Sequence, residues 1–491
     1  MNIKDIKLFV LILPLVLIWL SFGTNAGNIF NNKEYFNNIV NLKFLSLREI
    51  LPHILCSIFL FLNFINFRKI QKNYFFIFVT LILLGQFIGL TYAYFFGYRS
   101  DFAGGLNFLI SLLFFLNYMI FIENSLDPIS KKKFIKLFFS VLFIIFFLYY
   151  LIIFYNSYDT VLFQPYQYGY GGYEIMLLNE KVIFNSNGIS RILLFLYIFC
   201  ACYFFAKYNF TLKPIDLSLS VFLILVIALI YYYQSRFAFY SVIIVHALLF
   251  FKTKKINNKI FLIISILISI FIADKYNKFG DNTVKQCILK KEFDKLICKS
   301  IAKQFVSNDE YNYEHNYKKY KVSIFKQDRM FNLEYGNKKL ENFVDKGFIN
   351  VQSSGRIEKI KITLTYLLEH KDILILGSGP EYDRRLMNAK GFLHFEDLAN
   401  GPIYILLTGG LIGFLGFILL GLLYLKYFIK VFFRKNFIEN YESSTAILVI
   451  LVILLRTLVE KSFLIWNFDS LFFYSLIFIL LNNIKFLRNK Y

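Results

Sequence analysis

Cysteine and histidine are scarce in this chain, at 5 of each in 491 residues. No CxxC pair and no His/Cys cluster occurs, so the ligand spacings of a structural zinc site are missing. Cys56, Cys200 and Cys202 fall in apolar stretches and read as small packing residues. Cys287 and Cys298 share one polar segment, where an oxidising compartment would allow a disulfide; two free thiols are the alternative. Acidic residues are also few: 32 Asp and Glu stand against 54 Lys and Arg, a net charge of +22. The cations are dispersed over many connections rather than gathered on one surface, which argues against a nucleic-acid binder. No internal duplication is visible, and no pair of Gly/Pro-broken spans recurs in matching halves, the usual pointer to a secondary transporter. Gly377-Ser378-Gly379 lacks both the full glycine pattern and the Lys-Ser/Thr of a phosphate loop and reads as a tight turn.

Long apolar runs are abundant. Each is long enough to cross a hydrocarbon core of roughly 30 Å, and each is apolar all round rather than striped. The expected spans are roughly 6–23, 50–67, 73–96, 104–123, 134–156, 188–206, 216–233, 236–251, 259–274, 402–425, 443–460 and 463–484. The fold class expected is all-α: a polytopic helical bundle of about twelve spans, since a bilayer admits only helices or closed barrels. Three regions follow: N-terminal spans over 1–273, a polar loop domain over 274–401, and C-terminal spans over 402–491.

Charge sets the orientation. Lys4 and Lys7; Arg68, Lys69 and Lys72; Lys131–Lys133 and Lys136; Lys207 and Lys213; Lys252, Lys254, Lys255 and Lys259; Lys426, Lys430, Arg434 and Lys435; and Lys485, Arg488 and Lys490 all fall on connections of one parity. By the positive-inside rule that parity is cytoplasmic. The long segment from Asp274 to Gly401 then lies outside, with the Ser157–Asn187 region and the short loops near Arg99, Gln234 and Lys461. Met1–Lys7 and Leu8–Leu20 resemble the basic and apolar parts of a signal peptide, but retention as a first span is the expectation.

Within the long segment, Val284–Phe305 carries an amphipathic patch. Ser353-Ser354-Gly355 marks a helix start, and Arg356–Glu369 is a helix with Ile357, Ile360, Leu364 and Leu367 on one face. His370-Lys371-Asp372 ends it, and a short apolar run, Ile373–Leu376, precedes the Gly-rich turn.

Arg191, behind Asn185-Ser186-Asn187-Gly188, Arg236, behind Gln234-Ser235, and Arg356 all sit at exterior ends of spans or in exterior loops. Guanidinium groups bind phosphate oxygens in a fork geometry and keep their charge. Together they suggest a lipid-linked diphosphate sugar at the outer membrane–water boundary, with the cations stabilising a diphosphate leaving group. Arg384 and Arg385 add anion contacts or face water. Arg456 and Glu460, at i and i+4, read as an ion pair. Phe163, Tyr166, Tyr168, Tyr170 and Tyr173, interleaved with Gln164 and Gln167, suit sugar rings or an interfacial aromatic belt.

These motifs, with Ser354-Gly355-Arg356 and Gly409-Gly410-Leu411-Ile412-Gly413, make the chain resemble the O-antigen polymerase and O-antigen ligase family of bacterial surface-polysaccharide proteins. The resemblance runs over about residues 180–425 in ordered motifs and over the whole chain in layout. It implies a GT-C-like fold in the bacterial inner membrane and metal-independent glycosyl transfer, without a cofactor, from an undecaprenyl-diphosphate-linked oligosaccharide on the periplasmic face. Arg236 and Arg356 would bind the diphosphate, with Arg191 as a third. Asn185, Asn187, Ser235, Arg384, Arg385, Asp397 and Asn400 would line the substrate. Membrane lipid and a chain-length regulator are the implied partners; nucleic acid is not. The ligases of that family carry a His-Asn pair before the GxxG of this span, and here the pair reads Ala399-Asn400. His394 or Glu396 would then be the general base. The missing His favours a polymerase of lipid-linked repeat units over a ligase delivering glycan to lipid A-core. A flippase for the same lipid would instead show charges along the midplane.

Overall fold

In the computed structural model the described residues are chiefly 74–126, 173–177, 180–184, 186–208, 214–232, 236–290, 356–390, 398, 400–434 and 436–461, with isolated positions elsewhere. They are helical apart from one hairpin. The helices are α1 (Tyr74–Phe95), α2 (Phe102–Ser125), α3 (Ser186–Lys207), α4 (Pro214–Tyr232), α5 (Arg236–Lys252), α6 (Ile256–Lys290), α7 (Arg356–Glu369), α8 (Lys371–Leu376), α9 (Tyr382–Ala389), α10 (Gly401–Phe432) and α11 (Tyr441–Thr457). The hairpin pairs β1 (Tyr173–Leu177) with β2 (Glu180–Phe184), antiparallel, Tyr173 opposite Phe184. It lies inside the region expected to be an aromatic exterior loop.

Four helices among the described residues are long and apolar enough to cross a membrane: Tyr74–Phe95, Ser190–Lys207, Ile256–Ala273 and Gly401–Phe432. These are the features of a helical membrane protein. Leu411, Leu415, Ile418, Leu422, Leu425 and Ile429 form an exposed apolar stripe down α10. That stripe suits a helix whose solvent is hydrocarbon on one side and protein on the other. The spans expected over 6–23, 50–67 and 463–484 lie almost wholly outside the described residues, as does most of the one expected over 134–156.

The chain divides into two compact units. One is made of 1–22, 43–138 and 353–491, and the other of 23–42 and 139–352. The second half of the long polar segment thus packs with α1 and α10. In the second unit α4 packs against α3 and α6, and α5 touches all three. α6 does not stop where the apolar residues end but continues to Lys290. A helix satisfies its own backbone, so it needs no apolar sequence to continue past a membrane boundary.

The first unit is organised around α1 and α10, its most extensive helix pair. Close approach is made possible by glycines on both. A methyl group on Gly85 would lie 2.4 Å from the Gly409 carbonyl oxygen, and one on Gly89 would lie 2.7 Å from that of Thr408. α10 is broken at Gly410, whose φ of 58° and ψ of −159° are not helical. Just before the break, the carbonyls of Leu407 and Thr408 accept the N–H groups of Ser378 (3.0 Å) and Gly379 (2.9 Å). The Ser378 hydroxyl also donates to Leu407 O (2.7 Å). Gly377 and Gly379 have φ of 86° and 81°, values that favour glycine. The Gly-rich turn is therefore a wedge docked into a broken helix, an arrangement that satisfies backbone groups where water is scarce.

α7 spans the expected residues, but its buried face differs. Lys359, Thr363 and Leu367 point inward, while Ile357 and Leu364 are 46% and 41% exposed. The segment has apolar residues on two faces, since Ile362 and Tyr366 flank Leu367, and the second face is the one used. Leu367 packs with Ile373, Tyr382, Leu386, Met387 and Leu407. His370 only bends the chain, and the run after it is the short helix α8.

Candidate functional site

Three helix ends meet in the first unit. Asn400 caps α10: its Oδ1 accepts the Ile403 N–H (3.0 Å), and its Nδ2 donates to Leu458 O (2.9 Å), just past α11. Gly401 is needed there, because a methyl would lie 2.4 Å from Thr457 Cγ2. The cap thus ties the start of α10 to the end of α11, which brings Arg456, Glu460 and Lys461 beside it. Asp101 follows α1 and caps α2, accepting the Gly104 N–H (2.7 Å). The docked glycine turn delivers Pro380 and Glu381 to the same place.

Three charged sets result, linked along the chain where Glu381 follows Pro380 and Lys461 follows Glu460. Arg99 is buried and donates to Pro380 O (2.5 Å) and Asp101 O (2.6 Å). Asp101 pairs with Arg385 (3.2 Å), and Glu381 pairs with Arg384 (2.8 Å). Lys461, also buried, lies 2.8 Å from Asp383, 3.6 Å from Glu381 and 4.9 Å above the Tyr404 ring. Asp383 in turn accepts the Leu398 N–H (2.9 Å). Arg456 Nε donates to Glu460 (2.8 Å), the expected i, i+4 pair, and Arg356 reaches the same carboxylate at 3.5 Å. Arg99, Arg356, Arg384, Arg385, Arg456 and Lys461 outnumber Asp101, Glu381, Asp383 and Glu460, so the network carries net positive charge. Burial, with Arg385 adding to it, pulls the Arg99 guanidinium below its ordinary pKa, and Asp101 opposes that pull. Glu381 holds a φ of 60°. A non-glycine residue there is uncommon, and such backbone strain clusters at functional sites.

The outward face of this network consists of Arg356, Arg384 and Arg385, whose side chains are 38%, 47% and 39% exposed. The exposed ion pairs that hold them are each worth only about 0–1 kcal/mol. An incoming dianion can therefore take over such guanidiniums at little cost.

Of the residues singled out in the sequence, Arg356, Arg384, Arg385 and Asn400 come together here. Asn400 acts as a helix cap, its amide engaged on both sides. Arg191, in the second turn of α3, and Arg236, at the start of α5, belong to the second unit. The side chains of Arg236 and Asn187 lie outside the described residues, as do Asn185, Ser235, His394, Glu396, Asp397 and Ala399. The Cys287 side chain, Cys298 and the aromatic run from Phe163 to Tyr170 lie outside them too. Sequence reasoning had not singled out Arg99, Lys461, Glu381 and Asp383. The signal for the first two was present: each is a cation on a connection of the parity that otherwise has few. In the second unit a further polar group is buried within the helices. The Tyr197 hydroxyl lies 3.1 Å from His246 Nδ1, and His246 Nε2 lies 3.1 Å from Ser265 Oγ. Among the described residues no group of His, Cys, Asp and Glu is arranged to hold a metal ion.

Comparison with protein-family models, with curated proteins and with solved structures finds no match.

Proposed function

We propose that this protein is a membrane glycosyltransferase of the surface-polysaccharide polymerase kind, in a bacterial inner membrane with its site facing the periplasm. It would move a growing glycan from undecaprenyl diphosphate to the next lipid-linked repeat unit. The observation that carries the reading is the net-positive network at the ends of apolar helices, with Arg356, Arg384 and Arg385 exposed on it. Fixed guanidiniums at a membrane boundary suit a diphosphate whose lipid tail lies among the helices.

In the reaction, an acceptor hydroxyl oxygen attacks the anomeric carbon as the carbon–oxygen bond to the diphosphate breaks. The electron pair leaves with the diphosphate, and the guanidiniums stabilise the charge that develops there. The hydroxyl proton passes to a base, and His394 or Glu396, shortly before the Asn400 cap, are the candidates.

Arg356→Ala and Arg385→Ala, each expressed in a strain without its own copy, test this on gels of surface glycan. Each change is expected to lower long-chain polymer by about 100-fold, the scale for losing one charge-stabilising donor. Single repeats should still be displayed. Normal chain length in both variants would sink the reading. Loss of all displayed glycan would point to a ligase, and lipid-linked repeats trapped on the cytoplasmic face would point to a flippase.

A further inference from the structure

Beside the charged network lies a cluster of rings that the diphosphate chemistry leaves unused. The hydroxyls of Tyr92 and Tyr98 both donate to Asp372 Oδ2, at 2.8 and 3.0 Å. Their rings stack with centroids 6.2 Å apart, and Phe96 lies 4.5 Å from Tyr92. His370 stands edge-on to Tyr98 at 5.8 Å and 4.4 Å from Tyr366. Phe96 is 67% exposed, and Tyr92, Tyr98, His370 and Asp372 are each partly exposed. Burial works against the Asp372 carboxylate, yet the two phenols and backbone N–H groups hold its pKa below the ordinary value. The hydrogen bond to Asp372 in turn raises that of Tyr98. The carboxylate therefore stays ionised and the Tyr98 phenol stays protonated across the neutral range. The rings are held in place before any ligand arrives.

The cluster and the cations are continuous. Tyr98 is followed by buried Arg99, and the Tyr366 hydroxyl is 2.8 Å from that of Tyr382, which precedes Asp383, Arg384 and Arg385. We infer that this ring cluster is the glycan subsite of the same surface, binding the pyranose units that follow the diphosphate. A sugar ring has an apolar C–H face and a rim of hydroxyls. Tyr and Phe faces cover the first, while phenol oxygens, imidazole and carboxylate serve the second. A site with aromatic walls and a few fixed polar groups is the general form of a small-molecule subsite. The inference rests on the diphosphate reading only for the order of the two parts along the ligand.

The test uses the full chain in nanodiscs with two separate probes. One is the oligosaccharide repeat freed from the host's glycan by mild acid and followed by saturation-transfer NMR. The other is farnesyl diphosphate, followed by calorimetry. Phe96→Ala and Tyr92→Ala should each weaken the oligosaccharide about tenfold, and Asp372→Asn by a similar factor, with farnesyl diphosphate affinity unchanged. Arg385→Ala should do the reverse. Phe96 is exposed, so its loss leaves folding intact. If the oligosaccharide binds these ring variants as it binds the wild type, the subsite is wrong. It is equally wrong if Tyr92→Ala only lowers thermal stability, the behaviour of an interfacial aromatic belt. If the oligosaccharide binds through the rings while farnesyl diphosphate does not bind at all, the subsite stands and the diphosphate reading falls.

Discussion

Gly89→Ala is expected to deplete folded protein almost completely, and Gly410→Ala to do the same. A methyl at Gly89 would lie 2.7 Å from the Gly377 carbonyl carbon, 2.7 Å from Thr408 O and 2.8 Å from Ser378 N. All three are backbone atoms, held by the hydrogen bonds from Ser378 and Gly379 into α10, so no side chain can swing aside. At Gly410 the methyl would lie 2.3 Å from Ile375 O, and the φ of 58° disfavours any L side chain as well. Overpacking of this kind costs about 1–3 kcal/mol even where side chains can move. Here the helix pair α1–α10 would have to separate. Gly421→Ala is the internal control, because nothing lies within 4 Å of its added methyl. In the middle of α10 it should stabilise by about 0.5–1 kcal/mol. Fluorescence-detected size exclusion after a temperature ramp reads all three. A Gly89→Ala protein that elutes and melts like the wild type would mean that the glycine turn is not docked on α10.

How much of this was legible in the sequence depended on whether one segment or two decided it. The helices α1, α3, α4, α5 and α11 begin and end within a few residues of the expected apolar runs, because run length and the flanking Lys and Arg are local signals. α7 could be bounded for the same reason. Its buried face could not, because Ile357 and Leu364 compete with Ile362, Tyr366 and Leu367, and only the partners Ile373, Met387 and Leu407 choose between them. The Gly-rich turn and the Gly-rich span were both visible as motifs. That one is a wedge in the other was not, since glycine also occurs in unbroken membrane helices and the break needs Ser378 and Gly379 as its partners. The exposed arginines were found by type and parity. The buried charges behind them are set by the contacts of Lys461 with Asp383 and Glu381, which lie far from it in sequence.

Those buried charges carry the second large effect. Lys461→Met is expected to lower stability by about 3–5 kcal/mol, the scale for removing one partner of a buried pair. Its side chain is 2% exposed and that of Asp383 is 0% exposed, so the carboxylate left behind could not recover its hydration. Asp383→Asn should be milder. Lys461 would keep Glu381 at 3.6 Å and the Tyr404 ring at 4.9 Å, and the asparagine oxygen could still accept the Leu398 N–H. The double change Lys461→Met with Asp383→Asn removes both charges and should recover most of the loss, since a neutral replacement of a buried pair is often close to neutral in stability. Melting temperatures of the purified variants in detergent complete the cycle. Single losses that merely add would show that the two charges do not interact. Recovery in the double variant need not restore activity. Glu381 holds both Lys461 and Arg384 from a strained backbone, so loss of the ammonium frees that carboxylate to draw Arg384 inward. Stability should therefore return in the double variant while polymer formation stays low, separating the role of Lys461 in the fold from its role in presenting Arg384.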